Sequence, residues 1–133
     1  MIKENVLMLS ADNEDNILLA SNFIKEGKLV AFPTETVYGL GANALDKIAV
    51  AKIFEVKNRP HFDPLIVHIA NKEDIYKYSQ NVNTDVEKLI EQFWPGPLTL
   101  VLKKKSLIPD IVTGGLDTVA LRMPSNPVAL KLI

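Results

Sequence analysis

An apolar run, Leu29-Val30-Ala31-Phe32, meets Pro33 and passes straight into Thr34-Glu35-Thr36-Val37-Tyr38-Gly39-Leu40-Gly41. Proline fixes φ and removes a ladder donor, so a buried-type strand over 28–32 has to stop there. Two hydroxyls, a carboxylate, a phenol and two glycines then crowd one short turn. A strand that breaks off into so dense a polar turn is usually positioning groups for a ligand. Taken alone, the turn reads also as a tight, hydroxyl-capped crossover. Its glycines match neither the phosphate-loop nor the dinucleotide fingerprint, which disfavours those two chemistries.

About twenty residues on, Lys57-Asn58-Arg59-Pro60 supplies cations. At the end of a helix, cations serve the macrodipole, and that plain reading accounts for Lys57 and Arg59 by themselves. The continuation His61-Phe62-Asp63-Pro64 adds chemistry, because Pro60 and Pro64 stiffen a loop carrying Lys, Arg, His and Asp. Arginine offers a bidentate fork and lysine a mobile point charge, a common division of labour at a polyphosphate.

The chain has 133 residues, 47% hydrophobic and 23% charged, with a net charge of −1. That is one ordinary globular domain over 1–133, and no global field points to nucleic acid or membrane. With no cysteine, disulfides, thiolate catalysis and Cys-ligated zinc are excluded. Met1–Leu9 has the wrong flanks for a signal peptide, and no run reaches the ~20 apolar residues of a membrane span. The expectation is a soluble, cytoplasmic protein without a membrane partner.

Periodicity predicts a strand over Val6–Leu9 and a helix over Asp12–Glu26 that buries Ile17, Ala20 and Ile24 and stops at Gly27. A second helix runs from an Asp46 cap to Lys57, with Ala49, Ile53 and Val56 on one face. Leu65–Ile69 reads as a strand, and Asn71 as the cap of a short helix through Ser79. Thr84 and Glu87 form a capping-box pattern ahead of Val86, Leu89, Ile90 and Phe93. Pro95-Gly96-Pro97 ends that helix, with Trp94 in the core, and Leu98–Leu102 and Thr118–Met123 are further strands. The irregular alternation predicts an α/β or α+β class with a mixed sheet. Asn126-Pro127 is a cap and first-turn pair. The apolar helix it opens runs to Ile133 with no C-terminal stop, which reads as a C-terminally incomplete domain.

Three further features carry chemistry. His68 sits in an apolar strand, where a satisfied core histidine is the plainer reading. Two histidines without cysteines make no zinc site, whereas magnesium brought by a nucleotide needs few protein ligands. Lys103-Lys104-Lys105 reads as a solvated strand end, with a phosphate-contacting RNA patch as the alternative. Thr118 and Arg122 lie at i and i+4 on one strand and share a face. An arginine in so apolar a strand needs an anionic or carbonyl partner.

Pro33–Leu40, Lys57–Pro60, Pro64–His68, Phe93–Thr99 and Thr118–Pro124 occur in an order that resembles the YrdC/Sua5 family of threonylcarbamoyl-AMP synthases. The resemblance runs from about Gly27 to the last residue. It implies a twisted open mixed sheet flanked by helices around a large concave cavity. The implied reaction converts L-threonine, bicarbonate and ATP, with Mg2+, into threonylcarbamoyl-AMP and pyrophosphate. A downstream threonylcarbamoyl transferase then completes the t6A modification of tRNA. Thr36, His68 and Arg122 would contact threonine. Lys57, Arg59, Asp63 and Thr118 would line the ATP side, with Lys57 and Arg59 as the catalytic pair and no protein-held metal.

Two departures stand out. Asp63 replaces a usual asparagine and would repel phosphates unless a cation intervenes. The family's later Ser-Ala-Asn loop is absent, as is the further C-terminal domain of the longer branch, so the expectation is half a site, weakly active or inactive alone. The competing expectations are a double-stranded RNA or tRNA-binding module, and a carbamoyl-adenylate-forming domain like that of hydrogenase-maturation carbamoyltransferases. The near-neutral charge weakens the first, and the lack of a zinc-finger or acylphosphatase-like segment weakens the second.

Overall fold

The computed structural model describes residues 6–133; Met1–Asn5, part of the stretch read for a leader, lie outside the described residues. Helix α1 spans Glu14–Lys25, and the Asn13 side chain caps it by accepting from the Asp15 amide. Gly27, at φ +85°, then turns the chain, as a glycine after a helix end can without a Cβ penalty. Strand β1 (Val30–Phe32) pairs antiparallel with β2 (Gly39–Gly41) across the polar turn. Helix α2 follows over Lys47–Lys57, with the Asp46 carboxylate accepting from the Ile48 and Ala49 amides. Asn58 ends it in the left-handed conformation at φ 51° and throws Arg59 out of the helical path.

Strand β3 (Ile66–His68) leads to a 3-10 turn at Lys72–Asp74, helix α3 (Ile75–Tyr78) and helix α4 (Thr84–Phe93). Then come β4 (Leu100–Lys103), α5 (Asp110–Thr113), β5 (Thr118–Arg122) and α6 (Pro127–Leu132). The mixed sheet has the order β3-β5-β4, with β3 parallel and β4 antiparallel to β5. The class is therefore α+β, but the strands β1 and β2 pair apart from the mixed sheet instead of joining it. Among the described residues, no helix is long and apolar enough to cross a membrane.

Alternation along β5 decides where the site lies. Val119 and Leu121 point into the main core with Val67, Leu100, Phe54 and Trp94, while Thr118, Ala120 and Arg122 take the other face. In register, His68 lies beside Arg122, so both rings of polarity emerge on that second face. A smaller core of Ile17, Phe32, Ala129 and Leu132 packs α1 and α6 against β1. Trp94 is buried and donates from Nε1 to the Leu98 carbonyl at 2.8 Å, a core residue that also fixes the turn after α4.

Several expectations give way. Val6–Leu9 is not a strand: no neighbouring strand meets it, and Met8 is 92% exposed. Val56 is half exposed, because the buried face of α2 centres on Val50, Ile53 and Phe54 and a 100° step per residue carries Val56 off it. The cap of α4 is Asn83, one residue before the expected Thr84, accepting from the Val86 amide. Leu89 and Phe93 are largely exposed, while Ile90 carries the contact with the core. The turn after Asn71 is 3-10 rather than helical from the start, and the Asn71 side chain makes no cap bond.

Asp46→Ala removes the acceptor for two amides at the start of α2, which carries Lys57 at its far end. Loss of such a cap costs about 1 kcal/mol. Urea denaturation should show a lower midpoint with an unchanged slope; an unchanged midpoint would contradict the role given to this cap.

Candidate functional site

Arg122 is 8% exposed at the end of β5, so its guanidinium must be compensated locally. Nε donates to the Gly96 carbonyl at 3.1 Å, in the Pro95-Gly96-Pro97 turn. Nη1 donates to Thr36 Oγ1 at 3.4 Å, and Nη2 lies 2.6 Å from Glu35 Oε1. That last contact is an ion pair and lacks the alignment of a directed hydrogen bond. The polar turn after β1 thus closes over the end of β5, and the arginine has both the anion and the carbonyl that its apolar strand demands.

Glu35 is in turn anchored elsewhere. Its Oε2 accepts from the Ser125 amide at 3.0 Å and the Ser125 hydroxyl at 2.8 Å. Partial burial pushes the Glu35 carboxyl up. Its own amide, the two Ser125 donors and Arg122 outweigh that push and hold it at about 2. Thr34 shapes the turn: its hydroxyl donates to the Val37 carbonyl at 2.6 Å and lies 3.0 Å from Thr36 Oγ1. Glu35, Ser125 and Thr34 were not among the expected site residues. The signal for Glu35 was the demand of Arg122 for an anion; which carboxylate answers it depends on a contact across 90 residues.

His68 faces the same space, with its ring edge-on to Phe32 at 5.9 Å between centroids. Burial pushes the imidazole below its ordinary value; the Ile66 carbonyl, 3.3 Å from Nδ1, opposes this, and the Arg122 charge reinforces it. The ring is therefore neutral at pH 7, suited to exchanging hydrogen bonds with a polar ligand rather than to binding an anion by charge.

A cavity of about 600 Å³ opens here, and Thr36, Lys57, Arg59, His68 and Arg122 all line it over an apolar floor that includes Phe32, Val50 and Ile53. Its size suits a small-molecule site. Arg59 is folded back on its own loop, donating to the Pro64 carbonyl at 2.8 Å and pairing with Asp63 at 3.3 Å. The cation that Asp63 needed is thus Arg59 itself, and Asp63 lies outside the cavity lining. Thr118 also lies outside it, opposite Lys103 in the ladder. It shares the Arg122 face but sits about 13 Å further along the strand. Among the described residues Lys57 makes no ion pair, and no group of three His, Cys, Asp or Glu could cage a metal.

The triple lysine does not form a free patch. Lys104 is 14% exposed, pairs with Asp110 at 2.9 Å and donates to the Ile108 carbonyl; Lys105 donates to the Tyr76 carbonyl. Lys103 and Lys105 are exposed, as expected of a solvated strand end, whereas Lys104 is tied inward.

Because the folded Glu35 carboxyl sits near 2 against an ordinary 4.5, it contributes stability that is complete above about 4.5 and lost as pH falls toward about 2. Glu35→Gln should therefore destabilise the chain at neutral pH and converge on the unsubstituted protein in that acid window. Thermal unfolding as a function of pH checks this; a constant difference from pH 7 to pH 2.5 would contradict it.

The Sua5/YciO/YrdC family model, described as telomere recombination, matches residues 22–133. The threonylcarbamoyl-AMP synthase of Pyrococcus abyssi is 59% identical over 120 residues, covering 90% of this chain and 35% of that protein. Its counterpart in Bacillus subtilis is 48% identical over 122 residues, covering 91% of this chain and 35% of that protein. The crystal structure of P. abyssi Sua5 complexed with L-threonine superposes with a TM-score of 0.89 at 59% identity, over 91% of this chain and 36% of that one. The chain spans about a third of the length of these relatives. A match of this extent, over the residues that build the cavity, means that the chain belongs to the Sua5/YciO/YrdC family.

Proposed function

We propose that the cavity binds L-threonine and ATP and serves the formation of threonylcarbamoyl-AMP, with release of pyrophosphate, for t6A modification of tRNA. The observation that carries this reading is Arg122: a guanidinium on the cavity wall, 8% exposed, whose Nη1 makes only a long 3.4 Å contact with the Thr36 hydroxyl, beside His68. A planar fork in a partly dehydrated wall is matched to a carboxylate. His68 and Thr36 offer hydrogen bonds to the remaining polar atoms of an amino acid. Relatives named threonylcarbamoyl-AMP synthase support the same reading, as does the L-threonine complex of P. abyssi Sua5.

In this scheme bicarbonate carboxylates the threonine amine, with loss of water, to give a carbamate. A carbamate oxygen attacks the α-phosphorus of ATP, the bond from that phosphorus to the bridging oxygen breaks, and pyrophosphate leaves with the electron pair. The protein supplies no covalent nucleophile; Arg122 fixes the threonine carboxylate and so the line of attack. Lys57, without an ion pair among the described residues, and Arg59, next along the rim, neutralise charge on the phosphates. Arg59 must exchange its contact with Asp63 for a phosphate oxygen, an exchange the exposed position of that pair permits. Asp63 lies outside the cavity lining, so Mg2+ fits here as an ion carried by the nucleotide phosphates, where it would offset the charge of the leaving pyrophosphate. In this reading the product passes, in the cytoplasm, to a transferase acting on tRNA. The pairing of Lys104 with Asp110 weakens the RNA-module alternative, which rested on the triple lysine.

Isothermal calorimetry with L-threonine and a non-hydrolysable ATP analogue tests the proposal. Arg122→Ala should weaken threonine binding at least about thirtyfold, the scale of losing one partner of a buried charged hydrogen bond. His68→Ala should weaken it too, and both should leave the analogue's affinity within about a factor of two. Silence of the unsubstituted chain toward threonine, or full affinity in Arg122→Ala, would overturn the assignment.

A further inference from the structure

We infer that Glu35 is the positioning residue for Arg122: an immobile carboxylate that fixes the plane of the guanidinium, and with it the orientation of a ligand carboxylate. The inference deepens the proposed threonine site and rests on that reading for its functional consequence, though the fixing itself is independent of any ligand.

The two oxygens of Glu35 have separate tasks. Oε2 takes two donors from Ser125, so the carboxylate cannot swing to follow a moving partner. Oε1 is left for Arg122 Nη2 at 2.6 Å. On the far edge of the guanidinium, the Gly96 carbonyl holds Nε at 3.1 Å. A planar group held at Nε and at Nη2 cannot rotate about its last torsion, and its remaining Nη hydrogens keep one direction. An arginine free in a cavity samples many rotamers, and ordering it on ligand binding costs side-chain entropy. Here that ordering precedes the ligand. The weak 3.4 Å contact of Nη1 with Thr36 Oγ1 is one a ligand oxygen can replace or share.

The anchor also explains why it is built from distant segments. Glu35 lies in the turn after β1, and Ser125 lies just before Asn126, whose side chain caps α6 through the Val128 and Ala129 amides. Arg122 is thus clamped between the polar turn and the start of α6. A contrary reading treats Glu35 as a competitor that a ligand carboxylate must displace. The two Ser125 bonds argue against displacement, and the two readings predict opposite signs of change in affinity.

The chain holds two arginines, Arg59 and Arg122, so its 1H–15N spectrum has two arginine Nε signals and an internal reference. In the unsubstituted chain the Arg122 signal should exchange slowly with solvent. Glu35→Gln keeps an acceptor for Ser125 and removes the charge; it should raise Arg122 Nε exchange about tenfold, the scale of one lost close ion pair in a partly buried site. The Arg59 signal should not move. Ser125→Ala, which leaves the ion pair in place and loosens only its anchor, should give a smaller increase in the same direction. An unchanged Arg122 signal in both variants would overturn the inference, whatever the chain binds.

Calorimetry supplies the functional arm. Glu35→Gln should weaken L-threonine about tenfold with the ATP analogue unchanged, a split that general destabilisation would not produce. Glu35→Asp, one methylene too short to reach both partners, should not restore the affinity. Tighter threonine binding in Glu35→Gln would make Glu35 a competitor and overturn the inference. If the unsubstituted chain binds no threonine, the proposed function fails, and the exchange measurement alone decides whether Glu35 positions Arg122.

Discussion

The burial of one guanidinium at the end of β5 organises this molecule. Arg122 occupies the face of the mixed sheet opposite the main core, and a cation removed from water there must find compensation nearby. It finds Gly96 from the turn after α4, and Thr36 and Glu35 from the turn after β1. The polar turn is held over the end of β5 by satisfying that charge. The remaining partner that a planar fork accepts best is a carboxylate, which is where structure turns into function.

The cationic rim obeys a different logic. Asn58 in the left-handed conformation ends α2 and releases Arg59 into a loop stiffened by Pro60 and Pro64. Gly114, at φ +62°, lets α5 pack against the Phe62 backbone; a Cβ there would stand 2.6 Å from the Phe62 carbonyl oxygen. The loop is therefore fixed, but the side chains on it are not. Among the described residues Lys57 makes no ion pair, and Arg59 is held by a partly exposed contact with Asp63. Rigid recognition of a small carboxylate and adaptable charge for a polyphosphate make physical sense side by side, since the phosphates must change partners during transfer and the carboxylate need not.

What the sequence made legible was local. The Asp46 and Asn126 caps, the Gly27 stop, the core placement of Trp94 and the shared face of Thr118 and Arg122 each depend on a few neighbouring residues. What it concealed was non-local. Gly39-Leu40-Gly41 has no strand composition and becomes β2 only because β1 offers it a ladder; Val6–Leu9 has that composition and stays unpaired. The sequence demanded an anion for Arg122 without identifying Glu35, because the choice depends on Ser125, 90 residues away. Asp63 looked like a charge facing phosphates, yet pairing at i, i+4 with Arg59 removed the conflict. Thr118 shares the Arg122 face but is not among the residues that line the cavity.

The most direct test is a crystal structure of this chain soaked with saturating L-threonine. The account predicts density for the amino acid in the cavity, its carboxylate within hydrogen-bond distance of the Arg122 guanidinium and Glu35 still on Ser125. Threonine bound with its carboxylate away from Arg122, or a cavity without threonine at saturation, would contradict it.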